Sequence, residues 1–184
     1  MSQMRIFDQT RPDRVLFESR DHAEIASRLG ALGVRFERWE AAQPIAPGAS
    51  QEAVIAAYQR DIDRLMQEEG YVAVDVVSLT PEHPDRAALR SKFLSEHTHG
   101  EDEVRFFVAG SGLFNLHPND MVYEVLCEAG DLISVPANTR HWFDMSAEPY
   151  FVAIRLFNNP QGWVATFTGD PVAEQFPRYE RKAA

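Results

Sequence analysis

The chain has 184 residues, a length that suits one domain. Hydrophobic residues make up 45% and aromatics 11%, enough for a sizeable core, which argues against intrinsic disorder. Lys and Arg number 18 against 28 Asp and Glu, a net charge of −10 with no basic run, which argues against nucleic acid or an anionic membrane as partner.

No apolar run approaches the roughly 18 residues of a membrane span, and MSQMRIFDQT lacks the apolar stretch of a secretory signal. One cysteine, Cys127, rules out an intrachain disulfide and fits a reducing compartment. A cytoplasmic location is expected. The default for Cys127, at the end of an apolar strand, is a buried structural thiol.

Residues 1–92 read as mixed and partly helical. Asp21 and Glu24 have the spacing of a capping box, with Ile25, Leu29 and Leu32 at helical intervals behind them. Val34 and Phe36 begin a short alternation that Arg38 breaks, so at most a short strand is expected there. AQPIAPGAS (42–50) is a loop. Ser50 can cap a helix to about Glu69, with Val54, Tyr58, Ile62 and Leu65 on one face. YVAVDVVSL (71–79) reads as a strand, and Thr80–Pro81 opens a stretch that is helical to about Phe93. From about residue 94, short apolar runs alternate with turn residues: 104–109, 112–116, 122–127, 131–136 and 149–157. That rhythm predicts a mainly β fold, an antiparallel barrel or sandwich, with the helical portion packed outside. No linker divides the chain, so a single domain is expected over 1–184: 1–92 mixed α/β, 93–165 the barrel core, and 166–184 a C-terminal tail.

The chemistry concentrates in SEHTHGEDE. His97 and His99 stand two apart, so on a strand they share a face, and Glu103 can return to that face after a turn at Gly100. Imidazole with carboxylate suits first-row divalent metals. The competing reading is a solvated acidic loop. The flanking strand and His141, placed just past a turn at Pro136 and Asn138, weigh against it. His97, His99, Glu103 and Gly110 fit HxHx₃Ex₆G, and Gly130, Pro136 and His141 fit Gx₅PxGx₂H. This pair of motifs resembles the cupin superfamily, whose fold is a double-stranded β-helix barrel. Ser91, Asn138 and Met145 depart from the generic motifs; Asn tolerates positive φ well.

A narrower resemblance is carried by EHTHGEDEVRFFVAGSGLFNL, PANTRHWF and AIRLFNNPQGW. They are similar to the acireductone dioxygenase family, cupin enzymes of methionine salvage. The resemblance implies one metal ion per chain, Fe²⁺ or Ni²⁺, on His97, His99, Glu103 and His141, with two coordination positions left for a bidentate oxyanion. It implies the substrate 1,2-dihydroxy-5-(methylthio)pent-1-en-3-one and O₂. Iron would give formate and 4-methylthio-2-oxobutanoate; nickel would give formate, carbon monoxide and 3-(methylthio)propanoate.

Arg105 lies two residues beyond Glu103 and shares its face. The resemblance makes it the group that stabilises the substrate dianion; the alternative is a structural ion pair. Arg155 raises the same question with an outward orientation as the alternative. Glu96 and Asp102 flank the ligands, either as residues supporting them or as solvated acids. Phe93, Phe143 and Trp163 are pocket candidates, with core packing as the competing reading. His117, before Pro118, is expected at a surface turn, and His22 and His83 match no ligand spacing. AGSGLFN joins two strands and opens no helix, so it is no nucleotide loop. A monomer is expected. The other readings are a different small-oxyanion cupin dioxygenase or isomerase, or a non-catalytic metal-binding cupin.

Overall fold

The computed structural model describes residues 1–181; the last three residues of the expected tail, 182–184, lie outside the described residues. In chain order the elements are β1 (Gln3–Asp8), β2 (Val15–Ser19), α1 (His22–Gly30), β3 (Arg35–Arg38), α2 (Gln51–Glu69), β4 (Ala73–Leu79) and α3 (Arg86–Leu94). There follow β5 (His97–His99), β6 (Glu103–Leu116), β7 (Met121–Glu128), β8 (Asp131–Val135), β9 (His141–Asp144), β10 (Phe151–Phe157), β11 (Ala165–Phe167) and α4 (Val172–Gln175).

All pairings are antiparallel. One face of the barrel runs β11-β5-β9-β6-β7-β1-β2, and the other runs β4-β10-β6-β8-β3. Strand β6 belongs to both. Its first half pairs with β8 and β10, and its second half pairs with β7 and β9. The runs 104–109 and 112–116, expected as two strands, are therefore one strand bent at Gly110. Gly110 sits at φ +66, and a Cβ there would run into the Tyr150 carbonyl, so only glycine lets the strand turn this corner.

Alternation along the strands sorts the side chains into layers. On β6, Val104, Phe106 and Val108 face outward with Val152, Ile154 and Leu156 of β10. Helix α2 covers them with Val54, Tyr58, Ile62 and Leu65, the face its spacing predicts. Each such fully buried side chain contributes roughly 1.5–3 kcal/mol. The Ser50 hydroxyl caps α2 by accepting from the Ala53 amide at 3.3 Å. Inside the barrel lie Phe107, Phe114, Ile133, Phe143 and Phe151, with Ile25 and Leu29 of α1 closing one end. A third cluster, Phe7, Val122, Trp142 and Phe176, lies beneath α4.

The N-terminal portion supplies more than helices: β1 to β4 extend the barrel walls. Strand β1 was not apparent in the sequence because it buries both faces, Met4 and Ile6 in the barrel and Phe7 beneath α4. At α1 the Asp21 carboxylate accepts from the Glu24 amide at 2.8 Å. The reciprocal half of the capping box is relayed. Ser19 Oγ donates to Glu24 at 2.7 Å and accepts from the Asp21 amide at 3.1 Å.

Candidate metal centre

Strand β5 carries His97 and His99 on one face, β6 begins with Glu103, and β9 begins with His141, which pairs with His97 across the ladder. The four side chains are buried, and one donor atom from each lies within 4.8 Å of all the others.

Their hydrogen bonds fix the ring orientations. His97 Nδ1 lies 2.7 Å from the Ser95 carbonyl, His99 Nδ1 lies 3.0 Å from that of Val164, and His141 Nδ1 lies 2.7 Å from that of Thr139. A carbonyl only accepts, so each Nδ1 carries the hydrogen and each Nε2 presents its lone pair inward. Burial first, and the neighbouring His141 second, push His97 down to about 4, so it is neutral at physiological pH. In this tautomer the Nε2 atoms of His99 and His141 face Glu103 Oε2 at 3.1 and 2.9 Å, acceptor against acceptor. Glu103 Oε1 is buried without a hydrogen-bond donor. A divalent cation among these atoms resolves the conflict, and borderline nitrogen donors with one carboxylate are suited to it. The donor set thus fits a metal.

Burial alone would raise the Glu103 carboxyl. The Arg105 charge opposes it, and the carboxyl is held well below its ordinary range. Arg105 Nε lies 2.7 Å from Glu103 Oε1 at an angle too poor for a hydrogen bond, so the contact is an ion pair only. The guanidinium is ringed by Phe143 at 4.6 Å, Phe114 at 5.2 Å, Trp163 at 5.5 Å and Phe93 at 5.7 Å. Arg155 faces Arg105 across the β6–β10 ladder, so it too points inward. Its fork is taken bidentately by Asp75 of β4 at 2.7 and 2.5 Å.

These groups line a cavity of about 580 Å³ that reaches His97 and His99. Phe93 and Trp163 form part of its wall, with Val77, Leu79 and Leu89 supplying apolar surface. Phe143 does not line it: this ring is 1% exposed and supports Arg105 from the core.

The flanking acids are not solvated alike. Glu96 is buried, and its carboxylate meets His117 Nδ1 and accepts from Thr168 Oγ1 at 2.8 Å. Burial pushes this carboxyl up, but the hydrogen bonds from His117 and Thr168 bring it below its ordinary value. His117 is thus not a surface-turn residue. It is 1% exposed, because Gln9 covers its other nitrogen at 2.7 Å. Asp102 accepts from the Ala137 amide at 2.9 Å through its side chain and from Trp163 Nε1 at 3.0 Å through its carbonyl. It ties the turn at Asn138, whose φ is +63, to the His99–Glu103 corner. His22 stacks on Phe36 at 4.9 Å, and the His83 ring accepts from the Asp85 amide at 3.2 Å. Sequence reasoning missed Asp75, although a lone acid in an apolar strand was its signal.

The family model described as ARD/ARD' family matches residues 3–165. A protein of Pseudomonas savastanoi pv. phaseolicola named acireductone dioxygenase is 63% identical over 183 residues, covering 98% of this chain and 99% of its own. The chain belongs to the acireductone dioxygenase family. An acireductone dioxygenase of Stenotrophomonas maltophilia is 60% identical over 179 residues, covering 97% of both chains. A solved structure, "Acireductone dioxygenase from Bacillus anthracis with cadmium ion in active center", matches with a TM-score of 0.79 at 32% identity. The match covers 91% of this chain and 98% of that one. The mainly β cupin fold is thus shared with an acireductone dioxygenase, and a metal cofactor fits the site here. No described helix is long and apolar enough to cross a membrane.

Proposed function

We propose that the chain cleaves acireductone, 1,2-dihydroxy-5-(methylthio)pent-1-en-3-one, with O₂ in methionine salvage. One Fe²⁺ or Ni²⁺ per chain is held by Nε2 of His97, His99 and His141 and by the Glu103 carboxylate. The observation that carries this reading is the set of Nδ1 bonds that turns three imidazole lone pairs onto one buried carboxylate beside an inward arginine. Full-length relatives named for the same activity support it.

Held by His97, His99, Glu103 and His141, a divalent metal would supply Lewis-acid charge for the two oxygens of the enediolate. The remaining roles belong to the chain. Arg105 places a permanent positive charge next to the same oxygens in a water-poor barrel, which favours their deprotonated form. Asp75 holds Arg155 in the wall. Phe93 and Trp163 receive the apolar thioether end, and Phe143 backs Arg105. Glu96 fixes the segment leading into His97, and Asp102 fixes the turn leading to His141. Residues 1–184 act as one domain, monomeric and cytoplasmic.

The test is apoprotein reloaded with Fe²⁺ or Ni²⁺ and given acireductone and O₂. Iron should yield formate and 4-methylthio-2-oxobutanoate. Nickel should yield formate, carbon monoxide and 3-(methylthio)propanoate. Equal carbon monoxide from both preparations, or no turnover with either, would overturn the proposal.

A further inference from the structure

The cavity wall carries one negative side chain, Asp75, and three positive ones, Lys92, Arg105 and Arg155. Two of the cations are engaged. Asp75 takes the Arg155 fork, and Glu103 faces Arg105 at 2.7 Å. Among the described residues, no carboxylate lies within ion-pair distance of Lys92. The chain has only two lysines, Lys92 and Lys182, and one of them stands at this rim.

Lys92 is exposed on the last turn of α3, a helix with no buried residue of its own. The helix is nevertheless fixed in place. Arg90 bonds Asp144 of β9 at 2.8 and 3.0 Å, and Phe93 packs over Arg105 at 5.7 Å. The helix thereby places an unpaired ammonium at the mouth of a cavity whose two arginines are each paired with a carboxylate. The molecule as a whole carries a net charge of −10 and repels anions.

We propose that Lys92 is a specificity-determining rim charge that draws anionic enediolates into the cavity. The proposal rests on the reading that the substrate is an anion. A rim charge acts on encounter and salt dependence and leaves the chemical step alone. The Debye length is about 10 Å at 0.1 M salt, so the effect should fade as salt rises.

The test compares metal-loaded wild type with Lys92→Arg, Lys92→Gln and Lys92→Glu at about 20 mM and about 500 mM ionic strength. At low salt kcat/KM for acireductone should hold for Arg, fall about threefold for Gln and fall about tenfold for Glu. The kcat should not change, and the four proteins should converge at high salt. A second readout needs no turnover. Ascorbate, a stable enediolate monoanion, is titrated calorimetrically into nickel-loaded protein, and its affinity should follow the same order. Equal affinities and equal kcat/KM in wild type and Lys92→Glu at low salt would overturn the proposal, as would a loss confined to kcat and independent of salt. If wild type turns over acireductone while the series is flat, the rim charge alone is refuted. If ascorbate affinity is graded while acireductone is not turned over, the proposed reaction fails and the rim charge stands.

Discussion

Glu96→Ala removes one partner of a pair in which both side chains are fully buried. The His117 imidazole would then lie in the interior without its carboxylate, and Thr168 would lose an acceptor. Breaking a buried pair from one side costs about 3–5 kcal/mol. A chain of this length moves about 2–4 °C in Tm per kcal/mol. The expected loss is thus roughly 10 °C, read by circular dichroism on metal-loaded protein. Replacing both partners, as Glu96→Leu with His117→Phe, should recover much of it, since the desolvation penalty goes with the charges. The pH dependence has a definite sign. The folded Glu96 carboxyl lies below its unfolded value of 4.5, so its stabilisation is present above that value and lost as pH falls through the lower, folded one. The gap between wild type and Glu96→Ala should close on acidification. A Glu96→Ala Tm within about 2 °C of wild type at neutral pH would refute the reasoning.

Arg105→Ala should keep its metal but lose most turnover, with partial recovery as pH rises; Arg105→Lys should rescue little, because an ammonium cannot reproduce the planar fork. Metal analysis beside kcat separates this from loss of the site. Glu124 is 2% exposed, and burial raises its carboxyl despite Arg5 at 2.5 Å. Its folded value exceeds the unfolded one, so its contribution is favourable at low pH and lost as pH rises. Glu124→Gln should therefore gain on wild type in urea denaturation as the pH is raised from 4 to 8. Burial pushes the Cys127 thiol well above its ordinary value. It should resist a disulfide reagent at pH 8 until the chain unfolds.

The legible parts of this molecule were those whose signal is local. His97, His99 and Glu103 are set by a two-residue strand period and one turn, and Arg105 follows from the same alternation. The α2 face was readable because Val54, Tyr58, Ile62 and Leu65 repeat at helical spacing. What failed depended on partners distant in the chain. His117 looked like a turn residue beside Pro118, yet Gln9, more than a hundred residues away, and Glu96 bury it. The orientation of Arg155 stayed open because its partner, Asp75, lies on a strand 80 residues earlier. The bend at Gly110 was hidden because a strand that changes sheets and two strands joined by a turn share one pattern of apolar runs and glycine.

The central claim is that three Nε2 lone pairs and one carboxylate hold a catalytic metal. It is tested most directly by anomalous diffraction from crystals of nickel-loaded protein, collected on both sides of the nickel edge. One ion per chain is expected, about 2.1 Å from Nε2 of His97, His99 and His141, with Glu103 as the fourth protein ligand. An ion bound elsewhere, or an Nδ1 atom as ligand, would contradict it.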